Sequence, residues 1–143
     1  MEKPVWVVVA NGSRARVLEQ HPTKPERWTE TECWVHPQSR VHGADTGHGP
    51  AGHAGRSGLA SRSGPQEHER RAFAQQLAGL VATAVGEHRV GRIVVFASNP
   101  FLGELLAHLD SESRKRVADS HALDLTSLGM HELTQRLHSD FHL

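Results

Sequence analysis

No stretch of this chain approaches the roughly 18 consecutive apolar residues that a membrane-crossing helix requires. Its opening MEKPVWVVVANGSR reaches turn residues too soon to form a secretory h-region. The expectation is a soluble, cytoplasmic protein with no membrane partner. Cysteine is nearly missing. Cys33 stands alone among 143 residues, which excludes an intrachain disulfide and every all-cysteine metal site. Charge of one sign is not in excess either, because sixteen Lys and Arg face sixteen Asp and Glu. No global field then draws the chain onto nucleic acid or an acidic surface, and any polyanion binding must come from local patches. Large apolar residues almost vanish between His36 and Gln66, where seven of the thirteen glycines and four of the twelve histidines fall. Such a segment has too little to bury to make a core, so a flexible Gly/His-rich loop is expected at about 36–66 within a single domain spanning 1–143.

What is present reads as alternating strands and helices. Residues 5–10 and 14–19 are two strand-like runs separated by Asn11-Gly12, a hairpin signal because both residues tolerate positive φ. In the second run Arg14 and Arg16 alternate with Ala15 and Val17, so one face is expected to be polar. Residues 29–35, TETECWV, supply a third strand. Residues 66–87 then carry Phe73, Leu77, Val81, Ala84 and Val85 on one helical stripe. The segment RIVVFASNPFLGELLAHL follows. Its run from Ile93 to Phe96 is apolar and mostly β-branched, as expected of a central strand covered on both faces. Asn99 and Pro100 are the expected cap and first residue of the next helix, and Phe101, Leu102, Leu105, Leu106 and Leu109 are its buried stripe. Asp110 or Ser111 caps a short helix, 117–125 is a weaker strand, and Gly129 precedes a final helix carrying Met130, Leu133 and Leu137.

Four segments in order, VWVVVANGSRARVLE, PQEHERRAFAQQLAGLV, RIVVFASNPFLGELLAHLDSESRKRV and ALDLTSLGMHELTQRL, resemble the bacterial host attachment family, named for a protein required for attachment to host cells. That family is similar in its domain to the middle domain of archaeal and eukaryotic peptide-chain release factors. The resemblance implies an α/β, ribonuclease H-like three-layer domain with a mixed five-stranded sheet, order 3-2-1-4-5, and helices on both faces. It also points to the ribosome or structured RNA as partner.

The residues themselves offer several sites. A two-metal nuclease needs converging carboxylates near the first and fourth strands, yet residues 5–18 and 92–101 contain no acid. No cofactor is expected. Release factors place Gly-Gly-Gln at a loop tip entering the long helix, and Gly64-Pro65-Gln66 stands in a comparable position. Proline there is also explained simply as a helix-start residue. Gln66 and His68 are the candidate catalytic residues of an alternative reading, a hydrolase of an ester or phosphoester, with His68 expected in the first turn of the long helix. His36, His42, His48 and His53, with Cys33 upstream, are spaced unlike any compact ligand motif, so no metal site is assigned and His42, His48 and His53 remain weak candidates. Arg40, Arg56 and Arg62 on the loop, with Arg70 and Arg71 beyond it, suit RNA phosphates. Arg114, Lys115 and Arg116 form a second basic group. Ser98 and Asn99, at the carboxyl end of the central strand, are the candidate anion or ligand residues. A third reading is a scaffold whose loop folds on a protein partner. The sequence does not set the oligomeric state.

Overall fold

The computed structural model describes residues 3–36 and 54–143, with side chains described over 3–36 and 66–143. In chain order the elements are β1 (Val5–Ala10), β2 (Arg14–Gln20), β3 (Trp28–Val35), α1 (Ala54–Gly86), β4 (Arg92–Ala97), α2 (Phe101–His108), α3 (Ser111–Arg116), β5 (Val117–His121) and α4 (Met130–Phe141). The five strands form one sheet in the order β3-β2-β1-β4-β5. β1 is antiparallel to β2 and parallel to β4, and β4 is parallel to β5. The expected α/β class, mixed sheet and strand order are therefore present.

Side-chain alternation along each strand assigns two cores. Trp6, Val8 and Ala10 of β1 and Ile93, Val95 and Ala97 of β4 point to one face, where Phe73, Leu77 and Val81 of α1 and Phe101 and Leu105 of α2 cover them. Val7, Val9, Val94 and Phe96 point to the other face, beneath Leu133 and Leu137 of α4. Helices thus lie on both faces. β3 departs from simple alternation, because its register to β2 shifts between Val17 and Leu18: Glu32 faces Val17, Glu30 faces Leu18, and Thr31 is the extra residue. Such a bulge reverses side-chain parity. Trp34 accordingly packs with the α1 face and Trp28 with the α4 face, though both occupy even positions.

Three local expectations are corrected. The β1–β2 turn does not use positive φ at Asn11 or Gly12. Ala10 pairs with Ala15, and Asn11 Oδ1 accepts from the backbone N–H groups of Ser13 and Arg14, both at 2.8 Å, so a side-chain cap shapes a four-residue loop. The long helix starts at Ala54, not near Gln66, and runs through Pro65. Once the packed section from Phe73 onward is helical, each residue added upstream needs only propagation, which is far cheaper than nucleation. β5 ends at His121 and not near Leu125, because the next segment turns: Leu123 N–H donates to the His121 carbonyl and Thr126 N–H to Asp124 Oδ1.

Val95 is 1% exposed at the middle of β4. Replacing it with Asp buries a carboxylate without a partner, at several kcal/mol, roughly a large share of a small domain's stability. Val95→Asp is expected to abolish the cooperative melt in thermal denaturation, and a melting temperature equal to wild type would contradict this packing.

Candidate functional site

The parallel strands β1 and β4 end level with one another, Ala10 beside Ala97, so the segments after them share one edge of the sheet. Carboxyl edges of this kind are where open sheets commonly hold ligands. Asn11 is the centre of this edge. While its Oδ1 caps the turn, its Nδ2 donates to Asp124 Oδ2 at 2.9 Å and to Thr126 Oγ1 at 3.2 Å. Both donors and both acceptor positions of the amide are then used, which makes Asn11 a clamp between the β1–β2 turn and the segment after β5. Burial pushes the Asp124 carboxyl up, but hydrogen bonds from Asn11 and Thr126 outweigh it and hold the group below its ordinary value.

After β4, Ser98 is half-buried and Asn99 is exposed. Asn99 does not cap α2. Pro100, joined to Asn99 by a cis peptide bond, occupies the cap position without any side-chain hydrogen bond, since its ring carries no acceptor. The Ser98 carbonyl instead takes the Leu102 N–H at 2.9 Å.

Arg70 of α1 reaches across to Glu104 of α2 in a two-pronged pair, Nε to Oε1 at 2.6 Å and Nη2 to Oε2 at 3.0 Å. Its aliphatic stem lies against Gly12, where an added Cβ would sit 3.5 Å from Cγ. Arg71 lies 3.9 Å from the same carboxylate with its side chain 61% exposed. Two guanidinium groups share one carboxylate, and Glu67 adds a further negative charge near Arg70. Arg40 lies outside the described residues, as do the side chains of Arg56 and Arg62. Arg114, Lys115 and Arg116 form the last turn of α3, with Lys115 paired to Glu112.

Gln66 and His68 are both exposed and both inside α1. His68 is about four turns from the start of the helix, beyond the reach of its positive end. Neither residue stands at a loop–helix junction. His42, His48 and His53 lie outside the described residues. His36 is 4% exposed, stacks on Phe73 with ring centroids 4.9 Å apart, and has no hydrogen-bond partner on either ring nitrogen among the described residues. It serves as an aromatic core residue, its backbone N–H bonded to the Ser13 carbonyl at 2.8 Å. Cys33 is exposed on β3. Among the described residues no three His, Cys, Asp or Glu side chains converge as metal ligands would.

The strongest electrostatic element is Arg16, expected on a polar strand face but 6% exposed. Nε donates to Glu30 Oε2 at 3.0 Å and Nη2 to Glu30 Oε1 at 3.2 Å, while Nη1 donates to the carbonyls of Thr126 and Leu128. The Arg16 hydrogen bond is the main cause that holds the Glu30 carboxyl below its ordinary value, against an opposing push from burial. One residue thus fixes β3 to β2 and ties the segment leading into α4 onto the sheet.

Residues 6–137 match the family model described as "Protein required for attachment to host cells". The chain belongs to this host attachment family. No curated protein shows significant sequence similarity to it. Among solved structures, the archaeal translation termination factor aRF1 is similar at a TM-score of 0.50 and 10% sequence identity, over 97% of this chain and 39% of that one. The host attachment domain therefore shares its fold with part of that factor and spans well under half of its length.

In this host attachment domain the Arg16–Glu30 pair carries a pH signature. Glu30→Gln leaves Arg16 buried beside a neutral group and is expected to lower the melting temperature near neutral pH. A carboxyl whose pKa is depressed by folding stabilises fully above its ordinary value, here 4.5, and that contribution is lost as pH falls through the lower folded value. Melts recorded over a pH series should show the gap between wild type and Glu30→Gln closing below 4.5. A gap constant through that range would count against the pair as its source. Arg70→Ala should cost about 1 kcal/mol in denaturant unfolding, since the pair with Glu104 is two-pronged and only partly exposed. A double-mutant cycle with Glu104→Ala isolates that term.

Proposed function

We propose that this host attachment protein is a cytoplasmic binding module that associates with the ribosome or other structured RNA. The observation that carries the reading is the extent of the fold likeness: 97% of the chain follows part of a translation termination factor. The distribution of positive charge supports it. Arg71 is exposed beside Glu104 on the same helix whose sequence carries Arg56 and Arg62, and on a chain of zero net charge local arginines favour selective over indiscriminate contact with polyanions. Arg70 belongs to the framework here, because its guanidinium is committed to Glu104. Gln66 and His68 are exposed inside α1 and not at a loop–helix junction, which favours binding over hydrolysis.

Phosphate contacts release counterions, so affinity should fall steeply with salt. Wild-type protein in a cell lysate is expected to sediment with ribosomal fractions at low salt and to leave them as salt rises. The Arg56→Ala, Arg62→Ala, Arg71→Ala triple variant should bind more weakly by about 1 to 3 kcal/mol in total, with an unchanged melting temperature. Absence of wild type from the RNA-bearing fractions at low salt, or equal sedimentation of the variant, would refute the reading.

A further inference from the structure

On the α4 side of the sheet, away from the edge held by Asn11, a groove runs between the turn joining β2 to β3 and one face of α4. Pro25, Glu26 and Trp28 line one wall, and His131, Gln135 and His138 the other. The first wall is built from inside. Gln20, 8% exposed, donates to the carbonyls of Pro25 at 2.9 Å and Leu143 at 3.1 Å, and His21 Nδ1 accepts from the backbone N–H groups of Thr23 and Lys24. The His21 N–H closes the turn on the Arg27 carbonyl at 2.8 Å. The second wall is one helical stripe, since positions four and three apart share a face.

The groove gathers unspent hydrogen-bonding capacity. The indole N–H groups of Trp6 and Trp34 are taken by Glu19 and Glu32, at 2.9 and 3.0 Å. The Trp28 indole N–H has no acceptor among the described residues. The Glu26 carboxylate, the Gln135 amide and the rings of His131 and His138 likewise have no side-chain partner there, and all four residues are exposed. Three rings with mixed donors and acceptors suit a flat, polar, aromatic ligand. A lining with one carboxylate and no Lys or Arg does not suit a phosphate. At about 240 Å³ the space lies below the ~300–1,000 Å³ of drug-sized sites, so it admits one ring system and not a helix. Lys24 and Arg27 flank Pro25 and Glu26 in the same turn, both exposed, where the phosphodiester on either side of a bound base would run.

We infer that this groove receives a single unpaired base of an RNA strand and favours guanine. The Watson–Crick edge of guanine presents two adjacent N–H donors, which the two oxygens of Glu26 match. Adenine, cytosine and uracil each place an acceptor beside their donor and would oppose it to the carboxylate. His131 and His138 supply stacking surface for any base, and the Trp28 indole and Gln135 amide meet the remaining polar atoms. The inference rests on the RNA reading above for its class of partner, but on a separate set of residues.

The test uses the full chain labelled with nitrogen-15 and four RNA pentanucleotides of uridine that differ only in the central base. One of the three tryptophan indole signals, that of Trp28, is expected to move on titration. The central guanine should bind roughly tenfold more tightly than the others, as a two-pronged base contact gives. Glu26→Gln, which offers one donor and one acceptor and so matches adenine, cytosine and uracil alike, should abolish the preference for guanine. The His131→Ala, His138→Ala double variant should weaken all four by about tenfold, the loss of base stacking. Equal affinity for the four bases, or a Trp28 signal that never moves while wild type still sediments with ribosomes, overturns the groove and leaves the RNA reading standing. If wild type neither sediments nor shows a shift, both fall.

Discussion

Everything in this molecule follows from a strand that cannot meet water on either side. Val7, Val8, Val9 and Ala10 of β1 are each 0% exposed. Because successive residues of a strand point to opposite faces, burying all four demands a layer of helix above and another below. α1 and α2 supply one layer and α4 the other. The hydrogen-bonding edges of β1 are equally committed, to β2 on one side and β4 on the other. Apolar burial contributes about 25 cal/mol per Å², so a strand covered on both faces holds the largest share of the driving force per residue.

A sheet covered on both faces still has to finish its ends, and here the finishing is done by polar groups. Arg16 and Asn11 each bind the segment between β5 and α4, through the carbonyls of Thr126 and Leu128 in one case and through Asp124 and Thr126 in the other. The price is a buried guanidinium, offset by the Glu30 carboxylate and by hydrogen bonds from four of its five N–H groups. The same economy governs the carboxyl edge. Arg70 is spent on holding α1 to α2, and Arg71, one residue further along the helix, is left to solvent. Adjacent arginines of the same type therefore divide into a framework residue and a candidate contact.

The exposed Arg71 and the proposed base groove lie apart on the fold. Arg71 of α1 lies on the side of the sheet covered by α1 and α2, whereas the groove of Glu26, Trp28, His131, Gln135 and His138 opens on the α4 side.

The sequence by itself determined where the strands lie along the chain, because apolar, mostly β-branched runs such as Ile93 to Phe96 allow few other burials. It also determined the short helix capped by Asp110, whose carboxylate does accept the Ser113 N–H at 2.9 Å, and the final helix after Gly129. These are local properties, set within a few residues. Of the candidate sites, only the positions on the chain were legible. Whether Arg16 faces solvent or a half-buried carboxylate depends on β3, fourteen positions away, and on carbonyls more than a hundred positions away. Whether Arg70 is free depends on Glu104, thirty-four positions away. His131 and Glu26 share a groove only because α4 packs across β2 and β3. Partnership between distant charges costs nothing in local propensity and leaves no periodic trace, so tertiary packing alone decides which polar residues are consumed and which remain available.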